Sequence, residues 1–163
     1  MMFEDLAAIG IIAGEALKAR RQTIAVVDGA TGGLISAGLI ATPGATGFFR
    51  GGGVIYTLDG RRIMLGHEPG SLRGYTSATE SYALVQADLI RRRFGADWGM
   101  AESGSAGPNT HPMGVPSGTS AIGLVGPDGF ETAITVRTES TDRVANMQAF
   151  AKAALELLRN TLA

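Results

Sequence analysis

"TIAVVDGATGGLISAGLIATPGA", residues 23–45, decides how this chain folds. Thr23 to Val27 is a short, β-branched, apolar run, the pattern of a strand buried on both faces. A small-residue turn follows, Asp28-Gly29-Ala30-Thr31-Gly32-Gly33. From Thr31 to Ile40 a Gly- and Ala-rich run reads as a helix whose side chains allow close packing on a sheet. Strand, tight turn and helix open an α/β unit, and such sheets bind ligands beyond the carboxyl ends of their strands. Backbone N–H groups at the start of the helix, together with Thr31, suit a phosphate or an oxyanion. The turn contains no Ser, Cys, Lys or His, and it is neither a GxGxxG fingerprint nor a P-loop. It reads either as an anion cradle without a nucleophile or as a tight turn packed on its neighbours.

Working outward, Leu6, Ile9, Ala13, Ala16 and Leu17 recur at helical spacing and predict a helix over residues 3–20. Phe49 to Leu58 reads as a strand loosened by Gly51, Gly52 and Gly53. Thr76 or Ser77 caps a long helix to about Arg93, whose last turn carries solvated arginines where the helix dipole favours cations. Asp97 to Glu102 is a third strand. Ser103 to Ser117 is a long polar loop with three prolines, and loops of that length are often functional. Thr119–Val125 and Phe130–Val136, joined by Gly126-Pro127-Asp128-Gly129, predict an antiparallel hairpin. Asp142 to Leu162 closes the chain as a helix, with Val144, Met147, Ala151, Ala154, Leu155 and Leu158 on one face. These elements predict an α/β fold: a three-layer α/β/α sandwich whose mixed sheet of about five strands ends in a C-terminal hairpin and a terminal helix.

The length, 163 residues, predicts a single domain over 1–163. Lys and Arg number 14 against 15 Asp and Glu, a net charge of −1, so no basic field draws nucleic acid or anionic lipid. Neither is expected as a partner. The absence of Cys excludes disulfides and thiolate chemistry. At the N-terminus, acidic residues precede basic ones, the reverse of a signal peptide, and a cytoplasmic protein is expected. His67 reads as a surface loop residue and His111 as a candidate ligand contact. Neither has a partner at metal-ligand spacing, so no metal site is expected. Trp98 reads as core. Asp28 and Glu102 both end strands, and neighbouring strands would bring their carboxylates together, where one activates a water. Thr31 and Ser103 are alternative nucleophiles.

Four segments carry a resemblance over nearly the whole chain. They are Val27-Asp28-Gly29-Ala30-Thr31-Gly32-Gly33; Pro43-Gly44-Ala45-Thr46 with Phe49, Gly52-Gly53-Val54 and Tyr56; Ala101-Glu102-Ser103-Gly104-Ser105-Ala106-Gly107-Pro108; and Pro116-Ser117-Gly118-Thr119-Ser120. In order and spacing they resemble the CinA C-terminal domain family, the nicotinamide-nucleotide amidases. The resemblance implies hydrolysis of the carboxamide of nicotinamide mononucleotide by a serine, assisted by a lysine and a tyrosine. It also implies a homo-oligomer and no cofactor.

This chain departs at those positions. Gly29 occupies the serine position and Arg61 the lysine position, leaving Tyr56 as the catalytic candidate. An arginine stays protonated and cannot serve as a base. Glu102 stands where an apolar residue is usual, and Asn109-Thr110-His111-Pro112 replaces a glycine-rich stretch. The expected binding residues are Asp28, Gly29, Thr31, Gly32, Gly33, Arg61, Ser103 and Gly104, with Arg61 suited to a phosphate. Three readings follow: a nucleotide-binding protein without amidase activity, a hydrolase using different residues, and a non-catalytic partner-binding subunit. Under the first, Gly29→Ser with Arg61→Lys is expected to raise the rate of deamidation.

Overall fold

The computed structural model describes residues 1–66, 70 and 74–163; His67 lies outside the described residues. Among the described residues, five α-helices flank one five-stranded sheet. In chain order the elements are α1 (Phe3–Arg20), β1 (Ile24–Asp28), α2 (Leu34–Ile40), β2 (Phe49–Val54), α3 (Leu58–Leu65), α4 (Glu80–Phe94), β3 (Trp98–Ser105), β4 (Thr119–Val125), β5 (Glu131–Arg137) and α5 (Arg143–Leu162). The strand order is β2-β1-β3-β4-β5. β1 pairs in parallel with β2 and β3, whereas β4 is antiparallel to both β3 and β5. Only β4 therefore runs against the rest, as the hairpin predicts.

Period-two alternation sorts β1 between two apolar layers. Ile24 and Val26 join Trp98, Met100, Ile122 and Leu124 under α1, α2 and α5. Ala25 and Val27 face α4 together with Ala101, Ala87 and Ile90. By the same alternation Asp28 and Glu102 point toward the α2 side and Ser103 toward α4. Helices α1 and α2 cross at backbone distance: a Cβ on Gly10 would lie 2.1 Å from the Gly38 carbonyl oxygen. Among the described residues, no helix is long and apolar enough to cross a membrane.

Several boundaries differ from the sequence expectation. β2 stops at Val54, and residues 58–65 form α3 instead of prolonging a strand. Thr57 caps that helix by accepting the Gly60 N–H at 3.0 Å. α2 begins at Leu34 because Gly33, at φ +103°, holds a left-handed conformation that breaks the helix before it. α4 starts at Glu80, after an N-cap at Thr79. β3 continues to Ser105 because β4 pairs with it from Gly99 to Ser105, so the following loop begins three residues later than expected. Val144 is 65% exposed and off the buried face of α5. It sits two residues before buried Asn146, about 200° round the helix. Trp98 is core, with its Nε1–H donating to Gln22 Oε1 at 2.8 Å.

Candidate functional site

β1 ends at Asp28, one residue past the Val27–Ala101 pair. Glu102 lies beside it, three residues before the end of β3, so Glu102 does not end its strand as expected. Both carboxyls are buried. Asp28 Oδ1 accepts from the Thr31 hydroxyl at 2.6 Å and the Ile35 N–H at 3.0 Å. Its Oδ2 accepts from the Ser36 N–H at 3.2 Å and the Ser36 hydroxyl at 2.7 Å. Glu102 Oε2 accepts from the N–H groups of Gly29 and Thr31 at 3.1 and 3.0 Å, and Oε1 accepts from Ser120 Oγ at 2.6 Å. The turn does bind anions, but they are its own chain's carboxyls. The N–H groups of Gly29, Thr31, Ile35 and Ser36 are thus already occupied, which corrects the expectation of an open phosphate cradle.

Thr31 Oγ1 also lies 3.1 Å from Glu102 Oε2. One hydroxyl proton cannot serve two carboxylates, and the shorter contact to Asp28 claims it. The Glu102 contact is relieved when Glu102 itself carries a proton. Burial pushes the Glu102 carboxyl above its usual pKa range, bonds from Ser120 and Thr31 oppose the shift, and the Asp28 charge reinforces it.

Outside this buried pair lies a cavity of about 200 Å³, lined by Gly29, Ala30, Ile55, Tyr56, Thr57, Arg61, Ser103, Gly104, His111 and Pro112. It brings together Gly29, Tyr56, Arg61, Ser103 and Gly104 from the expected set. The other four lie elsewhere. Asp28 and Gly33 border a separate depression beside β2, Thr31 is fully buried, and Gly32 faces solvent.

Arg61, on capped α3, is the charged group of this cavity and only 9% exposed. Its Nη1 donates to Ser77 Oγ at 3.2 Å and its guanidinium carbon sits 4.9 Å from the Tyr82 ring centroid. Its Nε is sealed from solvent without a partner, and no described carboxylate pairs with it. Burial pushes the Tyr82 phenol upward while the guanidinium opposes it. Ser103 Oγ accepts the Ala78 N–H at 3.0 Å, which leaves its proton without an acceptor among the described residues. His111 Nδ1 accepts the Met113 N–H at 3.1 Å, so the neutral ring carries its proton on Nε2. Burial and then the Arg61 charge hold the imidazole below its usual pKa.

An outer cavity of about 180 Å³ shares Tyr56, Gly104, His111 and Pro112 with the first and adds Arg143. Arg143 Nη2 donates to the Tyr56 hydroxyl at 2.7 Å and Nη1 to the Gly107 carbonyl at 2.5 Å. Arg143 escapes a reading of the sequence because it lies 87 residues beyond Tyr56, in the first turn of a helix whose pattern reports only its core face.

A family model described as the CinA C-terminal domain matches residues 8–162. A CinA-like protein of Desulfosudis oleivorans is 38% identical over 149 residues, which is 91% of this chain and 36% of that protein. A CinA-like protein of Frankia casuarinae is 38% identical over 154 residues, 94% of this chain and 35% of that protein. The chain thus spans about a third of the length of the curated relatives it matches. Among solved structures, the competence/damage inducible protein CihA of Agrobacterium tumefaciens superposes with a TM-score of 0.87 at 25% identity, covering 97% of this chain and 95% of that one. A CinA superfamily protein of Klebsiella pneumoniae shares the fold, with a TM-score of 0.87 at 24% identity over 96% of this chain and 97% of that one. The segments that shape the turn and the cavity are therefore those of a known group, and the chain belongs to the CinA family through its CinA C-terminal domain.

Proposed function

We propose that this chain binds a phosphorylated nucleotide of the nicotinamide mononucleotide class and does not hydrolyse it. The observation that carries the reading is Arg61: a buried cation with no described carboxylate partner, lining a cavity beside the strand ends. Leaving such a charge unpaired is costly, and an anionic ligand offsets that cost. Loss of the amidase step is supported by Gly29, which offers no nucleophile at the position where the resemblance puts serine. The reading includes a cytoplasmic homo-oligomer that needs no cofactor, checked in its assembly state by a sizing column.

Thermal melts with and without nicotinamide mononucleotide, run beside an ammonia-release assay, test it. The expected result is a raised Tm without ammonia, because a ligand that binds only the folded state stabilises it. Ammonia release overturns the reading and promotes a hydrolase. Ser103 is the hydroxyl favoured for that second reading, since its proton lacks a described acceptor and His111 lines the same cavity. Asp28, Thr31 and Glu102 are buried and engaged with one another, which removes them as nucleophiles or water-activating groups. Ser103→Ala abolishes ammonia release in that case.

A further inference from the structure

We propose that the Met113 thioether is an oxidation site that latches the His111–Val115 turn over the inner cavity. A peroxide is the oxidant, and conversion of the thioether to a sulfoxide releases the latch. This deepens the proposed function as a regulation of the same site, and its link to affinity rests on that reading.

His111 to Val115 form a small turn closed on itself. The Gly114 N–H donates to the His111 carbonyl at 2.7 Å, the His111 N–H to the Val115 carbonyl at 3.4 Å, and the Met113 N–H to His111 Nδ1 at 3.1 Å. So tied, the turn moves as a unit. His111 and Pro112 line both the inner and the outer cavity. Met113 reaches 36 residues back along the chain, where its Sδ accepts the Ser77 N–H at 3.4 Å. Among the described residues this is the hydrogen bond that joins the turn to residues 74–79.

Ser77 and Ala78 also hold the cavity's other polar groups. Ser77 Oγ accepts from Arg61 Nη1 at 3.2 Å, and the Ala78 N–H donates to Ser103 Oγ at 3.0 Å. Ala78 has φ +58°, a left-handed conformation that persists in a residue with a β-carbon only where its neighbours fix it. One short segment therefore carries Arg61, Ser103 and the latch together.

A thioether sulfur is a weak acceptor, so the latch is a soft contact. Met113 is 51% exposed and open to peroxide, whereas Met100 is fully buried. In the reaction the peroxide O–O bond breaks and an S–O bond forms at Sδ. Sulfur is oxidised by two electrons, and the peroxide is reduced to water or an alcohol. The sulfoxide is polar and chiral where the thioether was apolar. At 3.4 Å no atom fits between Sδ and the Ser77 nitrogen, so the new oxygen either pushes the two segments apart or turns the sulfur away. Either way the present contact is lost and the His111–Val115 turn is freed. A methionine sulfoxide reductase restores it.

The test treats the wild type and Met113→Leu with hydrogen peroxide, then applies peptide mass spectrometry, hydrogen exchange and calorimetry with nicotinamide mononucleotide. Met113→Leu keeps an apolar side chain but removes the acceptor, and it controls for the exposed Met1, Met2 and Met64. In the wild type, peroxide is expected to oxidise Met113 and to speed exchange of the Ser77 and His111–Val115 amides about tenfold, with affinity falling about tenfold. Met113→Leu exchanges faster before treatment, and peroxide changes neither its exchange nor its affinity. Sulfoxide reductase returns the wild type to its starting exchange. Oxidised Met113 with unchanged exchange overturns the latch, as does an equal peroxide response in Met113→Leu or a Met113 that resists peroxide while Met64 is oxidised. Faster exchange with unchanged affinity overturns closure of the cavity by this turn. A nucleotide that binds neither the untreated nor the oxidised wild type overturns the proposed function, and the exchange result then decides the latch by itself.

Discussion

A β-carbon placed on Gly29 would lie 2.4 Å from the main-chain oxygen of Glu102 and 3.2 Å from its Oε2. The approach is backbone to backbone, so no side-chain rotation relieves it. Gly29→Ser is therefore expected to destabilise the fold by about 1–3 kcal/mol, as overpacking does. The double variant Gly29→Ser/Arg61→Lys is expected to release no more ammonia than the wild type. That reverses the expectation drawn from the sequence, because the obstacle is a neighbouring strand. Urea midpoints and an ammonia assay check it, and a fully stable, active double variant refutes it.

Glu102 takes up its proton more readily in the folded chain than in the unfolded one. Stability from this group is full below the unfolded pKa, near 4.5, and is lost as pH rises through the higher folded value. Glu102→Gln keeps the shape: its oxygen accepts the Gly29 and Thr31 N–H groups while its NH₂ donates to Ser120. Relative to the variant, the wild type is expected to lose stability as pH rises above about 4.5. Urea titrations of both proteins between acid and mildly basic pH measure the gap. Parallel pH profiles sink the prediction.

Asp28 holds the start of α2 with four accepted hydrogen bonds. Asp28→Ala strands the Ile35 and Ser36 N–H groups and the Ser36 hydroxyl, while Thr31 can turn to Glu102, and is expected to cost about 3 kcal/mol. Ligand affinity per folded molecule is expected to hold, since Asp28 does not line the inner cavity. Denaturation curves and calorimetry separate the two effects. A large loss of affinity in a stably folded variant contradicts this placement.

Arg143→Ala is expected to weaken nicotinamide mononucleotide about tenfold while leaving nicotinamide unchanged, because Arg143 is the cation on the wall of the outer cavity and pairs with the phosphate. Equal weakening of both ligands places Arg143 on the ring instead.

Thr57→Ala removes the cap of α3 and is expected to cost about 1 kcal/mol. Because α3 carries Arg61, affinity for nicotinamide mononucleotide falls with it. A calorimetric affinity unchanged from wild type shows that Arg61 is held by Ser77 and Tyr82 alone.

Periodicity in the sequence determined the helices at both ends, the buried strand before Asp28 and the C-terminal hairpin. In each, the apolar repeat matches the geometry that buries it. The four glycine-rich segments determined the family, since each needs close backbone approach or a left-handed turn that few other residues allow. α3 escaped because its apolar residues are mostly exposed and its start depends on one threonine cap. The fate of Asp28 and Glu102 was decided only by tertiary structure. Parallel pairing of β1 with β3 brings together two carboxyls 74 residues apart in sequence; the turn N–H groups of Gly29 and Thr31 bind Glu102, and those of Ile35 and Ser36 in α2 bind Asp28, rather than a ligand. The same folding leaves Arg61 without a described acid. Whether a charge is paired depends on what is packed around it, and local sequence does not carry that information.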